Sequence, residues 1–228
     1  MKVNLIGYTQ PVAGEESVGL QDVQDLIAFC ARVSNPSNQI NSETAPKLLN
    51  YLAKHKHWSP FEMASATMEI ETTRDIARQM LRHRSFAFQE FSQRYANPAD
   101  FGEQFVIREA RLQDTKNRQN SIEIDLTDPD ARETNKMWVE KQQDVIRAAK
   151  GAYNWAISNG IAKEQARAVL PEGNTKSRLY MQGSIRSWIH FIELRSGNGT
   201  QKEHIEVARA CAEAIAKIFP LVDEFISD

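Results

Sequence analysis

Hydrophobic and polar positions divide the chain into segments of two periods. Residues 2–8 alternate weakly, which predicts a first strand. Over residues 21–33, Val23, Leu26, Ile27 and Cys30 recur at spacings of three and four, the period of a helix with one buried face. Asn41 and Ser42 offer caps before a second helix to about His55, with Leu48, Leu49 and Leu52 inward. Residues 61–71 alternate again and read as a strand. Thr73 then caps a short helix whose apolar side is Ile76, Ala77, Met80 and Leu81. Residues 104–126 read as two short strands around a polar loop, 113–120. Asp128-Pro129 is a cap residue followed by proline at the first helical position. It starts a long helix ending near Asn159-Gly160, with Trp138, Val145, Ala149, Ala152 and Ala156 expected inside. Residues 176–182 fit a strand, and Ser184 caps a helix that buries Ile185, Trp188, Ile189 and Ile192. Thr200 with Glu203 forms a capping box for a last helix to about Phe219. Helix exceeds strand and the two are interspersed. The expected class is α+β, a mixed β-sheet packed with helices.

Length and charge narrow the functions open to such a fold. A chain of 228 residues suits one domain, 1–228, with 108–127 as a possible inserted strand–loop–strand. With 41% hydrophobic and 25% charged residues it reads as an ordinary globular protein. A formal net charge of −2 lacks the basic excess of a nucleic-acid binder. No apolar run approaches a membrane span, and the first residues carry no signal-peptide core, so no membrane or nucleic-acid partner is expected. Cys30 and Cys211 are the only cysteines and sit in no metal-type spacing. No metal site and a reduced, cytoplasmic protein are expected. Both cysteines read as small buried helix residues with no local His or Arg to activate them as nucleophiles.

The densest chemistry lies in residues 79–95. Arg82, His83 and Arg84 stand in a row, Ser92 and Arg94 follow, and Glu90 lies between the two basic groups. Arginine forks pair with phosphate through parallel charge-assisted hydrogen bonds, and a serine adds a short donor. Two such clusters suit two anionic groups. The triplet alone also fits a helix end whose cations offset the negative pole, followed by a solvated loop. The helix from Ser184 repeats the ambiguity. Arg186 and His190 are four apart opposite its apolar stripe, and Arg195 closes it, which also describes an exposed face with a terminal cation.

The fixed spacing of Arg82-His83-Arg84, Ser92 and Arg94-Tyr95 resembles the signature of the flavin-dependent thymidylate synthases, the ThyX family. Further blocks in the same order resemble it too: Ala31-Arg32-Val33-Ser34, His57-Trp58-Ser59-Pro60-Phe61-Glu62, Ala166-Arg167-Ala168-Val169-Leu170-Pro171, and the run from Arg186 to Arg195. Ala87 stands where the signature often has Ser, Gln89 where it often has Asn, His190 where an amide is commoner, and Gly199 where a His is common. The resemblance implies a ThyX-like single domain and the methylation of dUMP to dTMP. Methylenetetrahydrofolate would be the carbon donor and NADPH-reduced FAD the hydride donor. It assigns Arg195 as catalytic, holding the uracil, and places Gln79, Arg82, Glu90, Phe91, Ser92, Gln93, Arg94, Arg167 and Arg195 at dUMP. It places Ser34, Ser59, Arg82, His83, Arg84, Gln89, Glu90, Arg186 and His190 at FAD, with His57 near the flavin or folate. Arg167 reaching a neighbour's substrate implies a homotetramer with shared sites. Two other classes remain open from residues alone: a nucleotide- or nucleic-acid-binding module without catalysis, and a flavoprotein reductase that transfers no carbon.

Overall fold

The computed structural model describes residues 1–13 and 18–225. In chain order its regular elements begin with β1 (Lys2–Tyr8), α1 (Val23–Ala31), α2 (Ala45–Lys54), β2 (Ser65–Thr73), α3 (Arg74–Met80) and β3 (Ala87–Glu90). Then follow β4 (Arg111–Gln113), β5 (Ser121–Glu123), α4 (Pro129–Ser158), α5 (Lys163–Ala166), β6 (Lys176–Ser184), α6 (Ile185–Ser196) and α7 (Lys202–Ala216). The α+β class holds. A four-stranded sheet has the order β1-β2-β6-β3 with antiparallel pairings, and β4-β5 forms a separate hairpin.

The sheet is one-sided, as an alternating sequence demands. Ala66, Met68 and Ile70 of β2 and Leu179 and Met181 of β6 point into the core and are buried. Their neighbours form a polar ladder on the other face: Tyr180 donates to Glu69, and Arg178 pairs with Glu71. Helices α6 and α7 cover the apolar face. Trp188 is fully buried and its indole Nε1 donates to the Ala66 carbonyl at 3.1 Å, bolting α6 to the central strand. Gly183 in β6 is needed for close approach: a β-carbon there would lie 2.5 Å from the Phe86 ring. The ring thereby reaches Trp188, with centroids 4.8 Å apart, and closes the core over β3.

Several expectations are corrected in detail. The second helix starts at Ala45 with Thr44 before it, not at Asn41-Ser42, and Leu48 and Leu52 are only half-buried. The segment before the helix instead holds an arginine. Buried Arg32 donates to the Asn41 carbonyl and, at 2.7 Å, to Thr44 Oγ1, fastening α1 to α2. The strand expected over 61–71 begins at Ser65, because Pro60 starts a 3-10 turn over Ser59–Glu62. The long helix buries Gln142, Ala149, Tyr153 and Ala156, while Trp138, Val145 and Ala152 face out. Its apolar residues outnumber the positions a single contact face can take, so apolarity alone chose the wrong stripe. No Thr200/Glu203 capping box forms; Gln201 is the N-cap residue of α7, and Glu203 is drawn aside by Arg111. Ser184 does cap α6, accepting from the Ser187 N–H at 3.2 Å. Cys211 is buried, Cys30 only partly.

Candidate active site

The signature runs from the end of α3 through a tight turn into β3. That turn sorts its three cations. His83 N–H bonds the Met80 carbonyl at 2.9 Å, which swings the imidazole inward against Phe191, with ring centroids 5.0 Å apart. Arg82 and Arg84 on either side point out, and neither side chain reaches a carboxylate among the described residues. A fold that pairs most of its other arginines thus leaves two forks open at one place, which suits an anionic ligand.

His83 meets Arg195 from the last turn of α6. Arg195 Nε donates to His83 Nε2 at 2.9 Å. An Arg N–H only donates, so Nε2 is a lone pair and the ring is neutral with its proton on Nδ1. Burial, and then the Arg195 charge, push the His83 pKa down to about 4, which agrees with that assignment. With Nε engaged, the two terminal nitrogens of Arg195 have no hydrogen-bond partner among the described residues.

Beside this pair lies a run of polar groups from α3 to the hairpin. Fully buried His204 places Nδ1 3.1 Å from Gln79 Oε1. Gln79 Nε2 donates to Gln201 Oε1 at 2.9 Å, Gln201 Nε2 donates to Glu203 Oε2 at 2.9 Å, and Arg111 donates to the other Glu203 oxygen. Burial, then the charges of Arg195 and His83, push the His204 pKa down to about 3. Both histidines would bind protons near pH 6.5 in an unfolded chain but not in the fold. Their contribution to stability is therefore complete above pH 6.5 and is lost as pH falls towards 4 and then 3. Urea unfolding is expected to show a lower midpoint at pH 4.5 than at pH 7. In His204→Gln, which keeps a donor to Gln79, that drop should shrink; parallel pH profiles would contradict the assignment.

The second cluster lies beyond β3. Ser92 Oγ accepts from the Arg94 N–H, and Arg94 pairs with Glu164 of α5 at 3.3 Å. Lys163 of the same helix donates to the Tyr95 carbonyl at 3.0 Å. The segment that carries Arg167 is therefore docked on the Ser92–Tyr95 turn of its own chain, and Arg167 is half-buried with no acidic partner among the described residues. Glu90, between the two basic groups in the chain, accepts from Arg74 at 3.3 Å and from Ser177 Oγ at 2.7 Å. Gln89, Glu90 and Phe91 line a cleft of about 320 Å³ with Arg178 and Tyr180. Gln93 is buried, and its side-chain nitrogen has no hydrogen-bond partner among the described residues.

The remaining flavin-side positions form a separate group at the other end of α6. Arg186 is bound to Glu62 at 2.8 Å, exposed His190 sets its ring edge-on to Trp58 at 5.0 Å, and His57 and Ser59 are exposed beside them. Ser34 is exposed just past α1. One chain thus brings His83, Gln79 and Arg195 together but leaves Arg186, His190, His57 and Ser59 apart. His204, Gln201, Glu203 and Arg111 escaped the sequence reading. A lone His among apolar helix positions reads as core, and Gln201 and Glu203 read as helix-start residues. Among the described residues, no group of three or more His, Cys, Asp or Glu is arranged to hold a metal ion.

The chain as a whole has relatives. The description "thymidylate synthase complementing protein" belongs to the family model that matches residues 18–221. A probable flavin-dependent thymidylate synthase of Paramecium bursaria Chlorella virus 1 is 49% identical over 97% of both chains. A flavin-dependent thymidylate synthase of Synechocystis is 45% identical, again over 97% of both. The crystal structure of a UMP/dUMP methylase from Streptomyces cacaoi bound with 5-Br dUMP superimposes with a TM-score of 0.78 at 25% identity, covering 98% of this chain and 93% of that one. With a sequence match across nearly its whole length and the same fold, the chain belongs to the thymidylate synthase complementing protein family.

Proposed function

We propose that the protein is a flavin-dependent thymidylate synthase that methylates dUMP to dTMP. The single observation that carries this reading is the pairing of Arg195 with neutral His83 beside two arginine forks, Arg82 and Arg84, that meet no carboxylate among the described residues. The open forks and the edge-exposed aromatic and imidazole groups at Trp58 and His190 fit a group with phosphates and a flat ring, so FAD is compatible with the residues present. Methylenetetrahydrofolate would supply one carbon at the formaldehyde level and leave as tetrahydrofolate; FAD held by these residues and reduced by NADPH would supply the two electrons that bring that carbon to a methyl group. Arg195, held by His83, donates to the uracil carbonyl as negative charge builds on the ring, and Gln79 orients the pyrimidine. Ser92, Arg94 and Arg167 hold the nucleotide phosphate; Arg94 releases Glu164 to do so. Arg82, Arg84, Arg186 and His190 position the flavin.

A homotetramer with shared sites is part of this reading. Arg195 stands nine positions after Arg186 on α6, about 13.5 Å along the axis at 1.5 Å per residue, so two site groups sit on opposite ends of one helix. Exposed Met137, Trp138, Val145 and Trp155 on α4 offer apolar surface for association. The chain is read as one domain, 1–228, with 108–127 as an inserted hairpin, and as cytoplasmic; no described helix is long and apolar enough to cross a membrane.

The purified protein is expected to be yellow and to form dTMP from dUMP, methylenetetrahydrofolate and NADPH. A colourless protein that forms none when FAD is added would sink the proposal. Neither cysteine serves as nucleophile: burial pushes both thiols up, Cys211 strongly. The Cys30→Ala/Cys211→Ala double variant should keep its turnover once folded and flavin-loaded. Loss of turnover in that state would point to a cysteine mechanism.

A further inference from the structure

The polar run that ends at Gln79 has a direction. Arg111 can only donate, its side chain is 11% exposed, and it is bound to Glu203. Burial pushes the Glu203 carboxyl up, but hydrogen bonds from Arg111, the backbone and Gln201 more than reverse this, so it stays ionised and accepts only. Gln201 must therefore turn its NH2 towards Glu203 and its carbonyl towards Gln79. That carbonyl takes the Gln79 NH2, and Gln79 Oε1 in turn accepts from neutral His204. Rotating the Gln79 amide by half a turn would set oxygen against the Gln201 oxygen, whose direction Glu203 fixes. That contact would be lost, although His204 could follow the turn by moving its proton to the other ring nitrogen.

We propose that the β4–β5 hairpin, through Arg111, Glu203 and Gln201, locks the Gln79 amide in one orientation and thereby makes it a selector of uracil over cytosine. This rests on the reading of Gln79 as a pyrimidine contact. The locked amide has one N–H and one oxygen lone pair left for a ligand, in fixed order. Uracil presents a carbonyl beside an N–H on its pairing edge; cytosine presents an NH2 beside a bare nitrogen, the reverse order. A freely rotating glutamine matches either base by turning over. A locked one matches only one and leaves the other with opposed donors and acceptors, a costly mismatch. The hairpin is itself clamped to the start of α7: Lys202 bonds Glu109 at 2.7 Å and Glu123 at 2.5 Å. Arg111, Glu203 and Gln201 are thus positioning residues, with no contact to the substrate required of them.

The test is calorimetric binding of dUMP and dCMP to the flavin-loaded enzyme. Gln201→Met breaks the run while leaving the Arg111–Glu203 pair that holds the hairpin; Glu203→Gln lets Gln201 turn over. Both variants are expected to narrow the dUMP-to-dCMP affinity ratio by about tenfold or more, equivalent to ~1.4 kcal/mol. A hairpin that merely supports the fold would weaken both nucleotides together, and an unchanged ratio in both variants overturns the proposal. Gln79→Ala separates the two links. It should weaken dUMP and erase the preference, whereas unchanged dUMP binding would remove the pyrimidine contact on which the lock depends.

Discussion

Replacing Arg195 with alanine is expected to cut dTMP formation by about 10²–10³-fold while FAD stays bound. The residue donates Nε to His83 and sits half-buried at the end of α6, away from Arg186 and His190. On the proposed reading its remaining nitrogens meet the charge that develops during attack, so the loss is expected in kcat rather than in KM. Lysine should rescue little. One ammonium on a flexible stem has no fixed fork to satisfy His83 and a uracil carbonyl together. Arg94→Ala should act on the dUMP KM instead, since a phosphate contact is as strong in the bound substrate as in the transition state. Steady-state kinetics on both variants tests the assignment. An Arg195→Ala enzyme with altered KM alone, beside an Arg94→Ala enzyme with lowered kcat alone, would reverse the two roles.

The largest expected loss of stability comes from Trp188→Ala, about 3–5 kcal/mol. The side chain is fully buried against the sheet, and its rings face Phe86 at 4.8 Å and Phe191 at 6.0 Å. Removing it opens a cavity and leaves the Ala66 carbonyl without its indole donor. Phe191 also packs on His83, so the loosened core should disturb the His83–Arg195 pair as well. Urea denaturation at pH 7 measures the loss, and Trp188→Phe, which keeps most of the volume, should cost clearly less. A Trp188→Ala midpoint close to wild type would show that α6 is held to the sheet by other contacts.

Read alone, the chain disclosed its elements wherever one periodicity ruled a segment. The alternation of Ala66, Met68 and Ile70 marked a half-buried strand, and Ser184 announced the start of α6, because these are local effects of backbone geometry. The order of the signature residues and the later arginines was also enough to expect the family and its chemistry. Where apolar residues exceeded the available contact, as on α4, the sequence could not say whether Trp138 or Tyr153 would be covered; packing against Ala166 and Leu170 settled it. The pairing of His83 with Arg195, 112 positions apart, had no trace in spacing. Neither had the run from Arg111 to Gln79, nor the diversion of Glu203 from a helix cap to a half-buried ion pair. Caps and alternation depend on neighbours a few residues away, which a sequence displays. The protonation of a histidine and the direction of an amide depend on burial and on donors from distant strands and helices, and only the folded chain brings those together.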